Sequence, residues 1–181
     1  MSTEQAPPVS RPKQVLLDNQ CFGCAPDNAA GLRLRFWESA DGDGLEAPLT
    51  FGREQESHPG VVHGGIVATV CDETMGNLLV LRTGVSHFTV TLRTRFLTPL
   101  AVGAAYRCVA TAQPEPGAAG LRQAIAEVLD DRGDVVASAS GTYQPVSVSS
   151  LRQHLARSDP GRSLLDEAWS TSDNTGGGER S

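Results

Sequence analysis

The sequence lacks an apolar run of the roughly 20 residues that a membrane-spanning helix needs. It also has an excess of negative charge: 15 Lys and Arg residues against 21 Asp and Glu residues give a formal net charge of −6. That balance disfavours a nucleic-acid or anionic membrane surface as partner. Four cysteines are too few for a disulfide scaffold, and residues 1–20 carry no apolar stretch typical of a secretion signal. We therefore expect a cytoplasmic protein with no membrane or nucleic-acid partner.

Hydrophobic residues make up 39% of the chain, which is enough for a packed core. The patterned sequence lies almost entirely in residues 19–146, which we take as one domain. Residues 1–18 are a polar, proline-containing extension. Residues 147–181 are predicted to be a tail that is partly helical and ends in a glycine-rich, disordered segment.

Periodicity within the domain predicts several strands and one long helix. The helix runs from His63 to Leu81, after the chain break at Pro59-Gly60. In the strand that follows, strict alternation puts the apolar side chains from Phe88 to Phe96 on one face, and the threonines and arginines between them on the other. A single antiparallel sheet wrapped around one helix satisfies this order, which is an α+β architecture. The predicted strands are residues 32–37, 45–51, 87–97, 104–112, 121–129 and 135–143.

The start of the long helix carries the strongest chemical signal. Gly64 and Gly65 open it, where free N–H groups and the positive end of the helix dipole suit a developing oxyanion. Glycines at a helix start can equally serve close packing alone. Asp72 follows two turns later in an apolar run, where a carboxylate needs either a partner or a function. Together these residues favour acyl-transfer chemistry.

The chain from Asn19 to Tyr143 resembles the hotdog-fold thioesterases, in particular the PaaI-like acyl-CoA thioesterases. The motifs that carry the resemblance are Cys21-Phe22-Gly23-Cys24, the His63-Gly64-Gly65 segment with an acid seven residues later, and the stretch from Thr89 to Pro99. The resemblance implies the hotdog fold and hydrolysis of a thioester between an acyl group and coenzyme A. It implies no metal or redox cofactor.

The resemblance also implies roles for individual residues. The amide of Gly64, with that of Gly65, would polarise the thioester carbonyl, and Asp72 would act as nucleophile or as general base on a water. The Thr89 hydroxyl would orient that water, although threonine is also ordinary in a strand. Some relatives carry an asparagine at the position of Ser57, and whether Ser57 or the adjacent His58 replaces it stays open.

Three further residues are candidates for substrate binding. His63 is suitably placed for a base, but a helix N-terminus disfavours the imidazolium form, which favours a structural role bonded to backbone. Arg93 and Arg95 either bind the phosphates of coenzyme A or are ordinary exposed strand arginines. Glu73 lies about 100° around the helix from Asp72, so we expect it to be structural or exposed.

Helix geometry adds an inference about assembly. Gly64 and Asp72 are eight residues apart, or about 12 Å at 1.5 Å per residue. One carbonyl needs donor and base within about 3 Å or one water, so the two groups of a single chain cannot serve it. We therefore predict a homodimer in which Gly64 faces Asp72 and Thr89 of the partner chain. Hotdog dimers often pair again, so a homotetramer stays open.

The pair Cys21 and Cys24 has the spacing of half a zinc site or of a redox pair. A zinc site needs further ligands, and the sequence has no second such pair. We therefore favour a tight turn packed near the acyl pocket and expect no metal. Cys71 and Cys108 are isolated in apolar elements and are predicted to be core.

Two alternatives to thioester hydrolysis remain. A hotdog hydratase or dehydratase usually relies on a histidine with an acid in a different local motif, and Asp72 as the only acid on the site-facing helix argues against it. A non-catalytic module that binds acyl-CoA would use the same fold and the same pocket.

Overall fold

The computed structural model describes residues 20–40, 42–113 and 116–155. The predicted extension 1–18 and the tail beyond residue 155 lie outside these residues. The structure shows one helix in the predicted tail, Val148–Leu155. The elements are β1 (Trp37–Glu38), β2 (Gly44–Thr50), β3 (Glu56–His58), β4 (Val61–Val62), α1 (Gly64–Thr83), β5 (Ser86–Phe96), β6 (Ala105–Ala112), β7 (Arg122–Leu129), β8 (Val135–Val146) and α2 (Val148–Leu155).

One antiparallel sheet of six strands, in the order β1-β2-β6-β7-β8-β5, forms the body of the described chain. Helix α1 packs against β2 and against the four strands from β5 to β8. β3 and β4 form a separate small hairpin directly before the helix. The predicted α+β architecture, a sheet around one long helix, is therefore confirmed.

Helix α1 forms the centre of the core. His63 caps its N-terminus, and Gly84 ends it in the left-handed conformation with φ 68. Contrary to the expectation from the sequence, α1 is long and apolar enough to cross a membrane by length and composition alone. In this structure it packs against the sheet and forms the core helix. Its buried side chains are Val67, Val70, Cys71, Thr74, Met75, Leu78 and Leu79.

The predicted first strand, residues 32–37, is mostly irregular, and only Trp37–Glu38 is strand. Arg33 has φ 52, which breaks the extended conformation. The Leu32 and Leu34 N–H groups donate to the carbonyls of Phe22 and Gly23 rather than to a strand. Leu34 and Phe36 alternate with polar residues, and both side chains are nevertheless buried in the core.

Strict alternation along β5 is wrong because the strand contains a β-bulge. Thr89 pairs with Tyr143 and Thr91 with Thr142, so one extra residue of β5, Val90, is accommodated between these pairs. The bulge places Thr89 on the helix side of the sheet, the same side on which Phe96 approaches α1. Without the bulge, Thr89 and Phe96, which are seven positions apart, would face opposite sides of the sheet.

Candidate active site

The Asp72 carboxylate is the centre of a small polar cluster between α1 and the sheet. The Thr89 hydroxyl of β5 lies 2.9 Å from Asp72 Oδ1 and 3.2 Å from Oδ2. The Tyr143 hydroxyl of β8 donates to Oδ1 over 2.9 Å. Thr89 and Tyr143 are register partners across two hydrogen-bonded strands, so the sheet presents two hydroxyl groups to one carboxylate.

Tyr143 is a site residue that the sequence did not reveal. Its side chain is 1% exposed, and burial together with the negative charge of Asp72 raises the pKa of the phenol. The hydroxyl therefore stays neutral and acts as a fixed donor to the carboxylate. The signal that identifies it is its position opposite Thr89, which requires the strand register.

At the start of α1, the N–H groups of Gly64 and Gly65 differ in their hydrogen bonding. The Gly65 N–H donates to His63 Nδ1 over 2.9 Å, so it is already occupied. The Gly64 N–H has no hydrogen-bond partner among the residues that the structure describes. The Gly64 N–H is therefore the unoccupied donor at the helix start, and His63 acts as an N-cap that bonds to backbone.

The space around Gly64 is defined by β5. A Cβ added at Gly64 would lie 3.2 Å from the Phe96 ring. Gly64 thus lies beside the end of β5, whereas Asp72 lies beside Thr89 near its beginning. The two groups are separated along one helix and do not converge within a single chain.

The remaining predicted substrate residues are spread over two regions. Ser57 and His58 lie on the β3–β4 hairpin, where the Ser57 hydroxyl contacts His58 Nδ1 at 3.3 Å and the Val61 carbonyl at 3.5 Å. The hairpin is tied to the helix start, because the His63 N–H donates to the Gln55 carbonyl over 2.8 Å. The hairpin that carries Ser57 and His58 therefore directly precedes the helix start.

Arg93 and Arg95 lie on the other face of the sheet from Asp72. They line a cavity of about 250 Å³ with residues of β7 and β8, among them Ser138 and Ser140. Arg93 also lines a larger cavity of about 670 Å³ on this outer face. The structure therefore does not bring either arginine together with the Asp72 cluster.

The Cys21–Cys24 turn packs against α1 at Glu73, one residue after Asp72. The Cys21 Sγ lies 3.4 Å from Glu73 Oε1, and Asn77 donates to the same oxygen over 3.0 Å. A hydrogen bond with Cys24 lowers the pKa of Cys21 to about 7, although burial and the Glu73 charge oppose it. The same bond and burial raise the pKa of Cys24. Cys71 and Cys108 are fully buried, as predicted for core residues.

No protein-family profile matches the sequence, and no curated protein matches it at a significant level. Solved structures do match. A thioesterase superfamily protein superposes with TM-score 0.60 and 21% identity over 67% of this chain and 61% of that one. This chain therefore spans less than two thirds of that protein. The chain has the hotdog fold.

Two further structures share the hotdog fold. A phenylacetic acid degradation-related protein from Ralstonia eutropha matches with TM-score 0.56 and 24% identity, over 68% of this chain and 92% of that one. A hypothetical thioesterase protein from Streptococcus pneumoniae, solved with coenzyme A, matches with TM-score 0.53 and 16% identity, over 58% of this chain and 82% of that one. The latter is also solved as an aspartate-to-alanine and as a threonine-to-alanine variant.

Proposed function

We propose that this hotdog protein hydrolyses an acyl-CoA thioester to the free acid and coenzyme A. The observation that carries the proposal is the contact between the Asp72 carboxylate and the Thr89 hydroxyl on the central helix and the adjacent strand. The Streptococcus pneumoniae protein of the same fold carries coenzyme A, and its solved variants replace one aspartate and one threonine. These neighbours support the same substrate class here.

The proposed chemistry follows from the orientation of the groups. Asp72 either attacks the carbonyl carbon itself or removes a proton from a water that Thr89 holds. The oxyanion that forms is stabilised by the Gly64 N–H and the positive end of the α1 dipole. The C–S bond then breaks, and the thiolate of coenzyme A leaves and takes up a proton. If Asp72 was the nucleophile, the acyl group is now held as an anhydride on Asp72, and a water cleaves this anhydride to release the free acid and restore the carboxylate. Tyr143 keeps the carboxylate oriented and touches neither the substrate nor the water.

We propose further that the active unit is a homodimer paired through β5. This strand lies at one end of the sheet order and runs for eleven residues. A long exposed apolar edge is an established site of strand pairing between chains. Its exposed apolar side chains are Phe88, Val90, Leu92 and Phe96, which are 37% to 55% exposed, followed by Leu97 at 56%.

The contacts within one chain predict the register of that pairing. Gly64 lies beside Phe96, and Asp72 lies beside Thr89. An antiparallel pair brings Gly64 to the partner's Asp72 when Phe96 of one chain lies opposite Thr89 of the other. Because Val90 is an extra residue in the bulge, the midpoint between Phe96 and Thr89 is Arg93, and the two-fold axis then passes through Arg93. Such a dimer forms two equivalent sites.

The alternative of a hydratase or dehydratase is disfavoured by the partners of Asp72. Among the described residues the carboxylate is bonded by hydroxyl groups and by no histidine. A non-catalytic acyl-CoA binder would keep the same geometry, so only a measurement of turnover distinguishes it from an enzyme.

The first test is a panel of acyl-CoAs with detection of the free thiol. We expect hydrolysis by the wild-type chain and a loss of roughly 10²- to 10⁴-fold in kcat for Asp72→Asn, with the Kd for coenzyme A unchanged. Glu127→Gln, an exposed acid on β7, is the matched control and should keep full turnover. Unchanged hydrolysis in Asp72→Asn would overturn the mechanism, and binding without any hydrolysis by the wild type would favour the binder.

The second test asks whether the site is shared between chains. Gly64→Pro removes the N–H at the first helical position, where proline is tolerated, and the extended backbone of His63 suits a following proline. We expect it to lose roughly 10²- to 10³-fold in kcat. Gly64→Ala is the control, because it brings a Cβ to the same Phe96 ring but keeps the N–H.

Mixing the Gly64→Pro and Asp72→Asn chains should restore activity. In a mixed dimer one site combines the intact Gly64 of one chain with the intact Asp72 of the other, so an equal mixture should reach about a quarter of wild-type activity. A chain carrying both substitutions, mixed with wild type, should form mixed dimers without any intact site. If the Gly64→Pro and Asp72→Asn chains form mixed dimers but no activity returns, the shared site is contradicted.

A further inference from the structure

The Cys21–Cys24 turn and Glu73 of α1 place three metal-ligating groups together. The two sulfur atoms and a Glu73 carboxylate oxygen all lie within 4.8 Å of one another. The cysteines come from the N-terminal loop and the glutamate from the core helix, so this cluster exists only in the folded chain. We call it the Cys-Cys-Glu cluster.

The loop is shaped to bring the thiols to the carboxylate. The Leu32 and Leu34 N–H groups bond to the carbonyls of Phe22 and Gly23 at 2.7 and 2.9 Å, which fixes the turn. A Cβ at Gly23 would lie 2.5 Å from the Glu73 carboxyl carbon. Glycine at position 23 therefore leaves room for the Glu73 carboxylate in the position it takes here, beside the turn.

The charges of the cluster call for a cation. Glu73 is half-buried, and no described Lys or Arg forms an ion pair with it. Its carboxylate receives hydrogen bonds from the Cys21 thiol and the Asn77 amide, and it also interacts with the Cys24 thiol. A partly buried carboxylate beside two thiols is stabilised when a divalent cation supplies the opposite charge.

We propose that Cys21, Cys24 and Glu73 bind one zinc ion, with a water molecule as the fourth ligand. Bond lengths of about 2.3 Å to sulfur and about 2.1 Å to oxygen imply tetrahedral edges of about 3.6 to 3.8 Å between ligand atoms. The Cys21 Sγ–Glu73 Oε1 distance of 3.4 Å already approaches this value. Zinc binding displaces the two thiol protons to solvent.

The donor set selects the class of metal. Two thiolates exclude calcium and magnesium, which prefer oxygen ligands, and favour zinc. The proposal departs from the expectation of no metal, because the third donor, Glu73, lies 49 positions after Cys24 and is brought to it by folding. The metal would tie the N-terminal loop to α1 one residue from Asp72, in a structural role independent of thioester hydrolysis.

The test uses the full-length chain, reduced and freed of metal, titrated with cobalt(II) and then zinc. We expect one equivalent of cobalt per chain with a thiolate-to-cobalt charge-transfer band, displacement of cobalt by zinc, and a higher Tm with zinc. Cys21→Ser and Cys24→Ser should each weaken zinc binding at least about 100-fold, and Glu73→Gln roughly 10- to 100-fold.

Internal controls separate this site from other thiols. Cys71 and Cys108 are retained in every variant, so binding through them would persist in Cys21→Ser. Glu127→Gln removes an acid far from the cluster and should bind zinc normally. Binding of less than one cobalt per wild-type chain overturns the proposal, and so does wild-type zinc affinity in Cys21→Ser. If a variant fails to fold, the cobalt spectrum of the wild-type chain decides between the outcomes. Isolation of a Cys21–Cys24 disulfide in place of the zinc complex, with zinc and air both present, would identify a redox pair instead.

Discussion

The Asp72 carboxylate is positioned by hydroxyl groups from two different strands. Thr89 and Tyr143 both contact Oδ1, and no described cation pairs with the carboxylate. Hydroxyl donors orient a carboxylate without neutralising its charge. The arrangement therefore suits a nucleophile or base that must keep its charge and point in one direction.

We expect Tyr143→Phe to lower kcat about tenfold with little change in KM, because the ring remains and only the donor to Asp72 is lost. Steady-state kinetics on the best acyl-CoA of the panel would measure both constants. Tyr106→Phe, which removes a hydroxyl bonded to the Ala101 N–H away from Asp72, is the matched control. A Tyr143→Phe enzyme with wild-type kcat would show that Thr89 alone positions the carboxylate.

Among the elements, β5 combines two functions. Its bulge at Val90 turns Thr89 toward α1, and its outer edge exposes apolar side chains. A regular strand would align either Thr89 or Phe96 with the helix, but not both. The same strand thus supplies a site residue and the proposed dimer edge.

We expect Leu92→Glu to convert the dimer to monomer and to abolish hydrolysis together with it. The two introduced carboxylates would lie on the same face of the joined sheet, diagonally across the two-fold axis, where like charges oppose pairing. Analytical ultracentrifugation and the thiol assay measure the two effects on the same sample. Ile125→Glu, at an exposed apolar residue on the outer face of β7, should remain dimeric and active. A fully active Leu92→Glu monomer would contradict the shared site.

At the scale of the whole molecule, the folded state is sensitive to acid through His87. Both its ring nitrogens are inaccessible and without a hydrogen-bond partner among the described residues. Burial is the main cause that lowers the pKa of His87; the backbone at Val85 opposes this shift, and the positive charge of Arg122 adds to it. Folding therefore favours the neutral imidazole.

This shift gives the protein a predicted pH dependence of stability. As the pH falls below the usual histidine value of about 6.5, the unfolded chain binds a proton that the folded chain does not, so the free energy of unfolding decreases toward the lowered folded pKa. Denaturant titrations at several values between about pH 5 and pH 8 would measure it. His87→Phe should flatten the slope, whereas exposed His58→Gln should not. An equal slope in His87→Phe would assign the acid sensitivity to other groups.

Much of the fold and part of the candidate site could be predicted from local sequence. The helix predicted from His63 to Leu81 is observed as Gly64–Thr83, because a glycine start and an apolar run are local signals. The Gly64 and Asp72 candidates followed from the residues at the helix start, and Thr89 followed from the resemblance to the hotdog-fold thioesterases.

The tertiary structure alone decided which distant groups meet. Tyr143 reaches Asp72, and Glu73 reaches Cys21, through strand register and loop packing between residues far apart in the chain. The bulge that turns Thr89 inward depends on its pairing with β8. Sequence periodicity determines the class of each element, since it reports local burial, but it carries no information on register. Contacts across the sheet are therefore a property of the assembled core.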